Sequence, residues 1–236
     1  MNKVKKISPQ ERLRSYIYTD KNTVGGNAVC KILAGDLRDF SKKEISTRFE
    51  LMARALMNKC VIKVGVKKYR ITELEFYYFN EVNHIDLYAH KHKMQQEFAK
   101  WYVHGSGVDI TFGDNGAFGG ILIRGIQNVT TESFISGPLN VLNTFLSDIE
   151  NTDDKLNSLV LEYNDIHEEA IYKSSRYGLK KKDVDSDDFF SKRYRYISHI
   201  SSRHHFKEKT IVAKNIAEDL VLSKDEIEAM FWRNIL

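Results

Sequence analysis

Residues 70–78 read RITELEFYY. Ile, Thr, Phe and Tyr favour a pleated strand, and side chains alternate between its faces. Glu73, Glu75 and Tyr77 therefore share one face, while Thr72, Leu74 and Phe76 share the other. Upstream, VIKVGV at 61–66 and a Lys-Lys turn near Lys67 predict a hairpin over 61–78. Paired carboxylates with a tyrosine fit two situations: a half-exposed strand, or the wall of a polar pocket. In a pocket, a carboxylate can take a proton from water as it attacks an electrophilic carbon.

Outward from this strand the chain reads as mixed α+β. Residues 9–60 carry helical patterns, with a Ser-Lys-Lys-Glu capping box opening a helix at Ser41. VDITFG and GGILIRGI flank Asp114, Asn115 and Gly116, and an Asn-Gly step between β-prone runs predicts a second hairpin. From Gly137 onward helical patterns dominate, including PLNVLNTFLSDIE and DDKLNSLVLEYNDIHEEA, before a strand-like RYRYISHI. Lys207 to Leu236 reads as two short helices, the second opening with Ser223 and Glu226 as a capping box. These signals predict a single α+β domain over 1–205, a curved antiparallel sheet with surrounding helices, and a helical C-terminal appendage over 206–236.

With hydrophobic residues at 42% and no apolar run near the roughly 20 residues of a membrane-spanning helix, the chain is expected to lie outside the membrane. MNKVKKIS is basic without a following apolar stretch, so the expected address is cytoplasmic. Cys30 and Cys60 are too few for a disulfide framework or a thiolate zinc site and read as small core residues. The net charge of +4 permits an anionic partner without demanding one. Lys3, Lys5 and Lys6, then Lys180, Lys181 and Lys182, then Lys192, Arg193 and Arg195 are candidate phosphate contacts or ordinary solvated surface.

His90 stands four residues after Asp86 in DLYAHKHK, the spacing of a helical ion pair. His90 and His92 lack a third ligand of suitable spacing, so no metal is expected. His204 and His205, in the basic run RHHFKEK, read as exposed. Arg124 interrupts an apolar strand and sits either at its wet end or among partners in a site, because an unpaired buried charge is costly.

In order, LMARALMNK, RITELEFYY, DLYAH, KWYVH, GGILIRGI, ISGPLNVLNTFL, SRYGL and KRYRYI resemble the successive motifs of the alkyladenine (3-methyladenine, methylpurine) DNA glycosylase family, over Phe49 to Ile197. The resemblance implies a methylpurine-DNA-glycosylase-like fold with a pocket for a base flipped out of double-stranded DNA. Carried over by position, it implies that Glu75 activates the attacking water and Tyr77 stacks on the base. It further implies that His90 contacts the base, His104 stands where a second stacking tyrosine is expected, and Arg124 lies near the nucleotide backbone. Glu73 and Asp109 are added as candidate substrate-binding acids.

The chain departs from the family between His104 and Arg124. There GSGVDITFGDNG replaces a tyrosine-rich hairpin that supplies an intercalating side chain, and Asp109 or Thr111 lies near the expected position of a guanine-rejecting asparagine. The base preference is thus open, with a roomier, more polar pocket expected from His104. The expected activity is that of a monomeric, cofactor-free, monofunctional glycosylase leaving an abasic site. Two alternatives are a glycosylase for hypermodified phage bases in antiviral defence and a non-catalytic reader of modified nucleic acid.

Overall fold

A computed structural model describes residues 25–34, 37–150, 159–164, 168–232 and 235. Lys3, Lys5, Lys6 and the helical reading of 9–24 lie outside the described residues.

Helix α1 spans Asn27–Leu33 and α2 spans Lys42–Lys59. The Ser41 capping box forms: Ser41 N donates to Glu44 Oε2 at 2.7 Å, and Glu44 N donates to Ser41 Oγ at 3.3 Å. Ile45, Phe49, Met52, Ala53 and Leu56 make the buried stripe of α2, the spacing that one helix face requires. Phe49 stacks on Phe76 at 4.8 Å between ring centroids. Helix α2 therefore covers the Leu74, Phe76 and Tyr78 face of the long strand, and Glu73, Glu75 and Tyr77 face the other side.

That strand, β2 (Lys67–Asn80), is hydrogen-bonded to β1 (Cys60–Val64), β3 (His84–Ile85), β6 (Ala117–Asn128) and β10 (Arg195–Ile197). With β4 (Trp101–His104), β5 (Gly107–Thr111), β7 (Phe134–Ser136), β8 (Leu159–Tyr163) and β9 (Tyr172–Ser174) it makes one 10-stranded sheet whose main path runs β4-β5-β6-β2-β1-β8. Every strand pair is antiparallel. The sheet curls far enough that Trp101 Nε1 on β4 donates to Leu159 O on β8 at 2.9 Å, which brings the two ends of that path together.

Helix α3 (Pro138–Glu150) packs on the sheet through Phe145, whose ring lies 6.0 Å from that of Tyr69 on β2. Helices α4 (Lys209–Leu220) and α5 (Lys224–Phe231) form the expected C-terminal pair, and the Ser223 and Glu226 capping box is present. They enclose a second apolar cluster with Phe206 and with Ile197 of β10. Among the described residues no helix is long and apolar enough to cross a membrane.

Several local expectations are corrected. Within DDKLNSLVLEYNDIHEEA, Leu159–Tyr163 is strand β8, not helix. Its alternating Leu159 and Leu161 are buried against β1, a long-range pairing that overrides the local pattern. The first hairpin turns at Gly65, whose φ is +58°, and Lys67 and Lys68 already belong to β2. The residues from Asp86 to His90 are not helical, and Asp86 pairs with Arg176, 90 residues away, at 2.6 and 3.1 Å. His204 is fully buried, its ring stacked on Phe134 at 4.7 Å, because the tail folds over it. Arg195 is also fully buried and is no surface phosphate contact. Cys60 is buried, which pushes its thiol pKa up to about 12, while Cys30 is only partly buried.

Candidate active site

Strand pairing sets the site. Glu75 of β2 lies opposite Leu122 of β6, Leu122 opposite Asp109 of β5, and Asp109 opposite Tyr102 of β4. Directly opposed residues project from the same face. Glu75 and Asp109 thus stand two strand spacings apart, about 10 Å, with Leu122 between them. Above this row opens a cavity of about 330 Å³ bordered by Tyr77, His90, His104, Asp109, Arg124 and Tyr177. Five of the seven residues singled out in the sequence therefore border one space.

The other two, Glu73 and Glu75, lie behind it. Glu75 is 0% exposed and contributes no lining surface. Its carboxylate accepts from Tyr77 OH at 2.8 Å, from the Tyr177 backbone N–H at 2.6 Å and more weakly from Arg124 Nη1 at 3.4 Å. Tyr77 OH and Arg124, both of which border the cavity, stand between Glu75 and that space. Burial, reinforced by the Glu75 charge, pushes the Tyr77 pKa well above the usual phenol range, so Tyr77 stays a neutral donor. Burial works against the Arg124 charge, but Glu75 and Glu73 outweigh it and raise its pKa.

Glu73 has a different role. Its Oε1 accepts from Arg124 Nε at 2.9 Å and from Arg195 Nε at 2.8 Å. Both faces of β2 at this level are buried, which removes the half-exposed reading of the strand. Register shifts between Ile71 and Glu73 and between Glu73 and Leu74 mark a β-bulge opposite Gly125, a device that re-aims side chains beside functional sites. Among the buried charges, Arg124 is placed among partners, not at the strand's wet end.

The opposite wall holds His90, His104 and Asp109. His104 Nε2 lies 3.0 Å from Asp109 Oδ1, and Gln95 Nε2 lies 3.2 Å from Asp109 Oδ2. Tyr102 OH is 3.3 Å from His90 Nδ1, and its ring stacks on His92 at 4.9 Å. Burial, then the neighbouring His104, lowers the His90 pKa, which favours a neutral ring. Thr111 hydrogen-bonds to the backbone of Glu97 and Lys100 and is structural. Among the described residues no three His, Cys, Asp or Glu side chains converge as a metal-holding group.

Sequence reasoning did not single out three contributors and read a fourth, Arg195, as a surface phosphate contact. Tyr177 and Arg176 sit in SRYGL, where nothing local distinguishes them. Arg176 Cζ lies 4.6 Å from the Tyr77 ring centroid and Arg124 Cζ lies 4.9 Å from that of Tyr177, so guanidinium and aromatic faces alternate along this wall. Gln95 and Arg195 come from segments whose register with the site only tertiary pairing fixes. At the cavity mouth Leu179 is followed by exposed Lys180, Lys181 and Lys182, whereas Arg193 is engaged by Glu218 and Asp219 of α4.

An uncharacterized protein of Acanthamoeba polyphaga mimivirus is 33% identical over 192 residues, 65% of this chain and 87% of the viral protein. The chain belongs to the same family as that protein. No family model matches the chain.

Proposed function

We propose that this chain is a monofunctional DNA glycosylase that accepts a modified base flipped from double-stranded DNA and hydrolyses its N-glycosidic bond. The observation that supports this reading is the placement of a buried carboxylate, Glu75, directly behind an aromatic- and histidine-lined cavity with a hydroxyl donor and a guanidinium at its oxygens. Extruding a nucleotide costs a few kcal/mol of stacking, which Tyr77, His90 and His104 would offset by contact with the base.

In the proposed reaction a water oxygen bonds to C1′ while the C1′–N bond breaks and its electron pair leaves with the base. Glu75 takes the proton of that water, and its charge stabilises the positive sugar during bond cleavage. Oε2 is held by Tyr77 OH and Arg124, whereas Oε1 accepts from the Tyr177 N–H and keeps a second lone pair for the water, which Tyr77 must shift to admit. Arg124, kept charged by the two glutamates, would contact the sugar-phosphate backbone of the bound nucleotide.

Base release from duplex oligonucleotides carrying a panel of modified bases, read by mass spectrometry, tests this directly. Glu75→Gln is expected to bind duplex and stay folded but to release base at least about 100-fold more slowly. Full activity in that variant overturns the mechanism. The enclosure of Glu75 favours one second reading, a non-catalytic reader in which that carboxylate only braces Tyr77, Tyr177 and Arg124. Tight, base-dependent duplex binding without any base release from the panel would identify the reader.

A further inference from the structure

The proposed hydrolysis leaves the acid on the far wall unused. Asp109 is 3% exposed and borders the cavity. The roles around it follow from geometry. Ser106 N–H points at His104 Nδ1 at 3.2 Å, and a backbone N–H can only donate, so Nδ1 is an acceptor and the ring proton sits on Nε2. His104 therefore donates from Nε2 to Asp109 Oδ1. Gln95 donates its amide to Oδ2. Each carboxylate oxygen carries two lone pairs, so one on each remains, side by side. Among the described residues no lysine or arginine pairs with Asp109, whose one ion-pair geometry is with His104.

Backbone design maintains the arrangement. Gly120 of β6 lies opposite Thr111 and Tyr77, beside the acid, and a Cβ there would come within 2.5 Å of Gln95 Nε2 and 2.6 Å of Asp109 Oδ2. A glycine at this position lets Gln95 reach Asp109 across the strand.

We infer that Asp109 reads the flipped base and selects a guanine-type edge, the ring N1–H next to the 2-amino group. Two adjacent N–H donors match two adjacent acceptors in a bidentate pair. An adenine-type edge would oppose the carboxylate with the N1 lone pair, hypoxanthine offers the N1–H without the amino group, and cytosine offers its amino group beside an acceptor. His104 and Gln95 hold the carboxylate in place, one on each oxygen. This inference rests on the proposed base-flipping function and names its substrate class.

The test uses the full chain and two duplexes, one with 7-methylguanine and one with 7-methylhypoxanthine, which share a cationic leaving group and differ in the 2-amino group alone. Excision of 7-methylguanine is expected to be about 10- to 100-fold faster, the range of one good bidentate contact, and in Asp109→Asn the two rates should fall within about threefold of each other. Equal rates in the wild type, or faster release of 7-methylhypoxanthine, overturn the role of Asp109 while leaving hydrolysis intact. If neither base is released, the hydrolysis reading fails for these substrates and calorimetric binding of free guanine against free hypoxanthine decides the role of Asp109. A guanine preference lost in Asp109→Asn supports it, and equal binding or no binding overturns it.

Discussion

Glu73 and Glu75 stand two residues apart on one face of β2, yet their partners divide their roles. Glu73 Oε1 alone receives the Nε donors of two buried arginines, Arg124 and Arg195. Removing one partner of a buried ion pair typically costs about 3–5 kcal/mol, because the remaining charge stays buried without compensation. Glu73→Gln is expected to lower the melting temperature by on the order of 10 °C, read by thermal unfolding, with excision per folded molecule reduced less than in Glu75→Gln. The opposite ranking of the two variants would exchange their roles. This division was only half legible beforehand. Alternation placed both acids on one face, but Arg195 pairs with Glu73 across 122 residues, and its run of basic neighbours resembled an exposed patch. In the same way Asp86 looked like a local partner of His90 until the fold delivered Arg176.

Among the elements, β6 shows how much a strand can contribute through what it lacks. Gly120 leaves space that Gln95 and Asp109 fill, so Gly120→Ala forces atoms together at 2.5 and 2.6 Å. Overpacking of this kind costs about 1–3 kcal/mol, and the displaced groups are those of the acid wall. The expected outcome is a modest loss of stability in urea together with a changed 7-methylguanine to 7-methylhypoxanthine ratio; an unchanged ratio would show that Gln95 and Asp109 absorb the methyl without moving. On α2, Ser41→Ala removes the hydroxyl that accepts from Glu44 N–H, leaves the backbone N–H of residue 41 free to donate to Glu44, and should cost about 1 kcal/mol with no effect on base release. Such caps and the Asp114–Gly116 turn could be read from the sequence because their physics is local. Strand β8 could not, since its identity is decided by β1, roughly a hundred residues upstream.

Across the whole molecule, two fully buried histidines couple stability to pH. His84 Nδ1 donates to Tyr78 O at 2.8 Å and Nε2 accepts from Tyr194 OH at 3.0 Å, which holds a neutral ring. Burial lowers the pKa of His84 and of His204 from 6.5 to about 4. The unfolded chain therefore binds more protons between those values, so this stabilisation is complete above about pH 6.5 and is lost as pH falls towards 4. Each ring accounts for about 3 kcal/mol across that window. Urea unfolding at pH 7.5, 5.5 and 4.5 should show the loss, and His204→Phe, which keeps a ring on Phe134, should reduce the slope by about 1.4 kcal/mol per pH unit. Duplex binding should weaken with a negative slope of log affinity against log salt, as lysines at the cavity mouth release counterions; a flat dependence would remove DNA from consideration. The C-terminal helices bear on the site through β10. Arg195, which steadies Glu73, also donates from Nη2 to Lys207 O at 3.0 Å, and Ile197 of the same strand belongs to the apolar cluster of the tail. Sub-global opening of α4 and α5 therefore loosens the arginine that holds the acid strand, and whatever steadies that strand must slow the opening. Under the proposed function, the amide protons of Lys209–Leu220 should accordingly exchange with deuterium more slowly when duplex DNA is bound, which would make the tail a built-in reporter of occupancy.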